Sequence, residues 1–200
     1  MSIDVNSRAR FNLKDANILL LERGIMDMEI LVHILVGIGA RNLTKCEKIE
    51  EAKTQVGKVN FDLAIVNAVL GPEDGYDFVS SVRRDAPEPN KFMPIIVVSG
   101  HTRAPHVVKA RDCGAHFIVA KPLTPIILIE RIFWVAHAGR SFVTTDKYVG
   151  PNRRFRFDGP PTGEVGRRYD DLKEDLGAAI EPNMSQDQID ALMLPRKVNL

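Results

Sequence analysis

The sequence predicts an α/β fold: one five-stranded parallel sheet, doubly wound by helices, followed by a largely irregular C-terminal tail. Short apolar runs alternate with longer segments of helical period five times between Asp15 and His137. The runs are mostly continuous rather than alternating, which suits strands covered on both faces. Strands separated by helices need crossover connections, and crossovers produce parallel pairing with helices on both sides of the sheet.

The elements follow in order. Asn17–Leu21 (NILLL) is the first strand. Ile25–Val36 is a helix, with Ile30, Leu31, Ile34 and Leu35 as its apolar stripe, ended by Gly37 and Gly39. Asn42–Cys46 is the second strand and Ile49–Val56 the second helix. Phe61–Val66 is the third strand; Gly71, Pro72 and Gly75 mark a loop before a helix over Tyr76–Arg84. Pro94–Ser99 is the fourth strand, followed by a helix from about Arg103 to Cys113 that stops at Gly114. His116–Val119 is the fifth strand and Thr124–His137 the fifth helix. Residues 1–14 read as a flexible N-terminus, 15–138 as the folded domain and 139–200 as an extension with one or two short helices. Within the extension Gly139–Gly166 reads as extended or linker-like, Asp170–Ile180 as a helix, and Ser185–Met193 as a helix opened by a Ser185/Gln188 capping box.

Composition narrows the function classes. A formal net charge of +1 over 200 residues gives no global attraction to nucleic acid or membrane. Cys46 and Cys113 form neither a staple nor a metal spacing, and the five histidines show no ligand pattern. No apolar stretch is long enough to span a bilayer, so a soluble cytoplasmic protein without membrane insertion is expected. Gly24 stands alone after the first strand, which argues against a phosphate-cradling loop there.

A doubly wound sheet carries its site at the carboxyl ends of its strands. Those ends are Glu22–Arg23, Asn67, Ser99–Gly100 and Lys121. Four segments carry a family resemblance: NILLLERGIMDMEIL, DLAIVNAVLGPEDG, PIIVVSG and GAHFIVAKPLTP. In this order and spacing they resemble the response-regulator receiver domain, a flavodoxin-like fold, over about Asp15 to His137. The resemblance implies an acidic pair for Mg²⁺, a phosphate-accepting aspartate, a hydroxyl residue and a lysine. Matched to the motif, this chain supplies Glu22 and Arg23, Asn67, Ser99 and Lys121; Ile118 takes the aromatic switch position, with Phe117 beside it. The match therefore departs from the family at two positions. A carboxamide is a poor nucleophile beside a carboxylate, and a fixed guanidinium repels a metal. Arg23 is expected to pair with Glu22, so that Glu22, Arg23, Asn67, Ser99 and Lys121 form a degenerate phosphorylation pocket holding no metal or cofactor. Asp62 and Asp74 are poor replacement acceptors, the first at the wrong end of its strand and the second at the opening of the next helix.

The fifth helix has little polar face. Leu128, Ile132 and Val135 are spaced to face the sheet, leaving Ile127, Arg131 and Trp134 outward as a partner-binding face. In receivers the fourth helix, fifth strand and fifth helix form the usual output and dimerisation surface. Either a partner, a second copy or the folded-back tail would cover it. The tail also carries Arg153, Arg154, Arg156, Arg167 and Arg168 near Phe155, Phe157 and Tyr169. Such a cluster can grip phosphates and stack on bases, or simply pair with the acidic run Asp170, Asp171, Glu174 and Asp175. The leading expectation is a phosphorylation-independent, non-enzymatic adaptor in bacterial two-component signalling that binds a signalling protein. The alternative is a sensor of a cyclic dinucleotide or nucleic acid through the arginine-rich tail; a working phosphoreceiver is the third reading.

Overall fold

The computed structural model describes residues 13–137, 141–145, 148–152 and 184–193. Five strands form one parallel sheet in the order β2-β1-β3-β6-β7. They are β1 (Asn17–Leu21), β2 (Asn42–Cys46), β3 (Leu63–Asn67), β6 (Ile95–Ser99) and β7 (Phe117–Ala120), with β4 (Val69–Leu70) and β5 (Glu73–Asp74) forming a small antiparallel pair between β3 and the next helix. The helices are α1 (Ile25–Gly37), α2 (Ile49–Val56), α3 (Gly75–Asp85), α4 (Ala104–Asp112), α5 (Pro125–His137) and α6 (Gln186–Met193). The α/β expectation holds, with the element boundaries shifted by a residue or two.

The period-two alternation of strand side chains divides the core. Leu19, Leu21, Ala64, Val66, Ile95, Val97 and Ile118 face one way, onto Ala52, Val56, Phe78, Val79, Val82, Val107 and Ala110 of α2, α3 and α4. Ile18, Leu20, Leu63, Ile65, Ile96, Val98, Phe117 and Val119 face the other way, onto Leu31, Ile34 and Leu35 of α1 and Leu128 and Ile132 of α5. Each fully buried Leu, Ile or Val contributes roughly 1.5–3 kcal/mol. Ile30, expected in the buried stripe of α1, is instead 40% exposed.

Of the alternatives for Gly139–Gly166, extended or linker-like, the described residues take the extended one and pair. β8 (Phe142–Thr144) pairs antiparallel with β9 (Val149–Pro151). Phe142 packs edge-on against Phe92 and lies over the guanidinium of Arg83, 5.2 Å from the ring centre. Arg83 is buried and donates to the carbonyls of Gly114 (3.0 Å) and Lys91 (2.8 Å). Gly114, at φ +95°, leaves room for this approach, because a Cβ there would meet the Val149 carbonyl at 2.7 Å. Strands of three residues carry no period of their own, so the pairing leaves no signal in the sequence. The expected helix over Asp170–Ile180 and the arginines Arg153, Arg154, Arg156, Arg167 and Arg168 lie outside the described residues.

Both cysteines are buried, and burial pushes Cys46 up to about 11 and Cys113 up to about 12. The thiolate is the reactive form and is scarce at neutral pH under such a shift. Neither thiol is expected to react with Ellman's reagent in the native protein at pH 7, and both should react in denaturant. Fast native labelling of Cys113 would show that the packing around α4 opens. No described helix is long and apolar enough to cross a membrane.

Candidate functional site

β1 ends just before Glu22, β3 ends in Asn67 and β6 in Ser99, and Lys121 follows β7, so parallel pairing brings these four to one rim of the sheet. Glu22 is 2% exposed. Its Oε1 accepts from the Asn67 amide at 2.8 Å and from the Gly24 backbone N–H at 2.8 Å. Its Oε2 accepts from Lys121 Nζ at 3.0 Å. Lys121 also donates to Asp27 Oδ2 at 2.6 Å. The Asn67 carbonyl oxygen accepts from Val69 N at 3.2 Å. One ammonium thus bridges a buried carboxylate at the end of β1 and a part-exposed one from α1, while Asn67 is used on both sides of its carboxamide.

One expectation about the pocket, the pairing of Arg23 with Glu22, is corrected. Arg23 does not pair with Glu22; its guanidinium donates to the Leu70 carbonyl at 3.4 Å and lies across Gly71. Gly71 stands at φ +79°, and a Cβ there would collide with Arg23 Nη1. Ser99 is at the rim and buried, but its hydroxyl is engaged locally, donating to the His101 carbonyl (2.9 Å) and accepting from His101 N (3.0 Å). The physical reason is reach: Lys121 extends from the end of β7 to the buried Glu22, and a single ammonium with several donors serves both carboxylates. Sequence reasoning missed Asp27. The signal was there, since an acid in the first turn of α1 sits directly over the end of β1.

The residues present do not fit a divalent cation. Hard cations need several free oxygen donors. Here both Glu22 oxygens and the paired Asp27 oxygen already accept from nitrogen, and the Lys121 ammonium lies between the two carboxylates. Among the described residues no group of three or more His, Cys, Asp or Glu is arranged to hold a metal.

Around this pocket Asp74 caps α3, accepting from Tyr76 N at 2.8 Å, as its helix-opening position implied. It also pairs with Lys109 of α4, whose Nζ stands 5.4 Å from the centre of the Tyr76 ring. Burial holds the Tyr76 phenol well above its ordinary value. Gly75 lies so close to β3 that a Cβ would collide with the Asn67 backbone carbonyl oxygen, so only glycine lets α3 start against the strand end. The Lys121–Pro122 bond is cis.

The expected outward face of α5 is also revised. Ile127 and Trp134 are half-buried against the core. The Trp134 ring stands edge-on to Phe117 at 4.8 Å. Arg131 is ion-paired with Asp190 of α6. The large apolar residue that α5 does expose is Ile126, at 68%.

Because Arg23 touches neither carboxylate, Arg23→Ala is expected to cost less than about 1 kcal/mol, the worth of one long hydrogen bond to a backbone carbonyl. Urea denaturation of the two proteins checks this. A loss of several kcal/mol would restore Arg23 to the pocket.

The strand order and the gathering of polar ends at one rim define a doubly wound module of the signalling-receiver class. The chain belongs to the response regulator receiver domain family, whose model matches residues 18–133. It is 25% identical over 103 residues to the chemotaxis protein CheY of Pseudomonas aeruginosa, covering 52% of this chain and 82% of that one. It is 21% identical over 119 residues to the chemotaxis protein CheY-3 of Vibrio cholerae, covering 60% and 90%. Among solved structures, CheY4 of Vibrio cholerae superposes with a TM-score of 0.55 at 24% identity over 60% of this chain and 98% of that one. A putative response regulator from Chloroflexus aurantiacus gives 0.54 at 26% identity, covering 58% and 93%. Residues 18–133 of this chain are a response regulator receiver domain.

Proposed function

We propose that this chain is a phosphorylation-independent receiver-like adaptor in bacterial signal transduction, acting by binding a signalling protein and catalysing no reaction. One observation carries the reading: the residue ending β3 is Asn67, and its amide donates to Glu22 at 2.8 Å. Accepting a phosphoryl group needs an anionic oxygen and a cation that neutralises the developing charge. Asn67 has no anionic oxygen. Lys121, the cation that touches the carboxylates at this rim, is fixed between Glu22 and Asp27. With the metal-like position taken by an ammonium, the domain stays in one state, and its output depends on which partner meets its surface. The surface is the rim formed by α4, β7 and α5, to which Arg131 belongs.

The test is direct. Incubation of the intact protein with acetyl phosphate and Mg²⁺ should leave its mass unchanged, and Mg²⁺ should not shift its melting temperature. Acid-labile phosphate mapped to the pocket would overturn the reading.

A further inference from the structure

β7 is an edge strand of the sheet, so its outer backbone groups need partners from outside the sheet. The inner side is paired, as Lys121 N donates to Ser99 O at 2.8 Å. On the outer side the partner is a side chain. Gln186, the first residue of α6, accepts from Ala120 N at 2.9 Å through Oε1 and donates to the Ile118 carbonyl at 3.3 Å through Nε2. A carboxamide has the donor and acceptor of a peptide unit, and here it takes the place of one residue of an added strand.

The rest of α6 reads the same rim. Ile189, three residues on, is fully buried with Val107 and Ala110 of α4 and Ile118 of β7 in one cluster. Asp190, one turn on, accepts from Gln186 Nε2 at 3.0 Å through one oxygen and pairs with Arg131 of α5 through the other. Arg131 also lies over the Phe117 ring, 5.6 Å from its centre. Met184 is fixed to Thr102 by a reciprocal pair of hydrogen bonds, each 3.1 Å. Ser185 and Gln188 close the capping box in both directions.

Two features make this occupant replaceable. α6 has eight residues, and a helix that short does not persist without a surface to lie on. Its fit is also incomplete, because Arg131 Nε is buried with no hydrogen-bond partner. A second carboxylate oxygen on that fork would bind better than the contact α6 makes.

We propose that the rim of α4, β7 and α5 is a helix-docking site that recognises a carboxamide, an aliphatic residue and a carboxylate at i, i+3 and i+4. α6 is its resident occupant, and a partner helix carrying the same pattern displaces it. This rests on the adaptor reading and gives the partner its chemistry: an amphipathic acidic helix with a Gln or Asn one turn before its Asp or Glu.

The Ala120 amide reports on the site, because its acceptor is Gln186. In the full chain, Gln186→Ala with Asp190→Arg should speed hydrogen exchange at Ala120 about tenfold or more, with Val66 in the central strand unchanged. A synthetic peptide of the sequence Met184–Met193, at millimolar concentration, should restore the protection; the same peptide with Asp190→Arg should not. With Gln186 kept, Asp190→Arg alone should weaken the protection, and Arg131→Asp combined with Asp190→Arg should restore it without peptide. If the double variant loses protection at Val66 too, Gln186→Ala alone gives the same reading on a folded chain. Unchanged exchange at Ala120, or a wild-type peptide that gives no protection, overturns the proposal. Either result leaves the phosphate test untouched, and a phosphorylated pocket would remove the adaptor reading without altering the peptide result.

Discussion

Lys121→Met should destabilise the domain by about 3 kcal/mol, at the low end of the cost of stripping one partner from a buried ion pair because Lys121 keeps some contact with water. Its side chain is 19% exposed, against 2% for Glu22 and 41% for Asp27. The substitution keeps most of the stem volume and removes only the charge. Glu22 would remain buried with two neutral donors, the Asn67 carboxamide and the Gly24 backbone N–H, and no cation. Asp27→Asn supplies the contrast: its carboxylate is part-exposed, and its loss should cost no more than about 1 kcal/mol. Chemical denaturation of the three proteins at pH 7 measures both. Equal small losses would mean that water screens the whole pocket and that Lys121 does not hold it closed.

Asn67→Asp should cost about as much, roughly 3 kcal/mol at neutral pH, by setting a second anion against the buried Glu22 carboxylate. The new oxygen would stand where the amide now meets Glu22 Oε1 at 2.8 Å, with Lys121 already shared between two carboxylates. Two carboxylates that close cannot both ionise, so the folded variant keeps a proton that the unfolded chain releases near about pH 4. The folded pair binds more protons than the unfolded chain above that pH. The deficit relative to Asn67 should therefore be smallest at about pH 4 and below, and should grow as pH rises towards the raised value of the pair. Urea melts at several pH values between acid and neutral check the sign. A deficit independent of pH would mean that the introduced carboxylate swings out to solvent. The variant should also remain a poor phosphate acceptor, because Lys121 still holds both carboxylates that a metal would need.

Both predictions depend on geometry that is only partly legible in the sequence. Asn67 and Glu22 can be placed at neighbouring strand ends because each closes an apolar run, and parallel pairing brings such ends to one rim. The pairing inside the rim cannot be read the same way. Adjacency in sequence suggests that Arg23 neutralises Glu22, yet Glu22 points into the rim while Arg23 turns away over Gly71 towards Leu70. The Lys121 partner arrives from 99 residues away and carries Asp27 with it.

What the sequence by itself determined was everything set by local period and local chemistry. That includes the five strand runs and their helices, the loop glycines, the Asp74 cap, the capping box that opens α6, and the placing of Asn67 at the end of the third run. Only the tertiary structure decided which charges meet, that Phe142 closes a hairpin over Arg83, and that α6 lies on the edge of β7. Those contacts join residues far apart in the chain. Their formation depends on desolvation and reach at a surface the folded sheet creates, and no period or spacing within α6 specifies that its Gln186 must meet the backbone of Ile118 and Ala120.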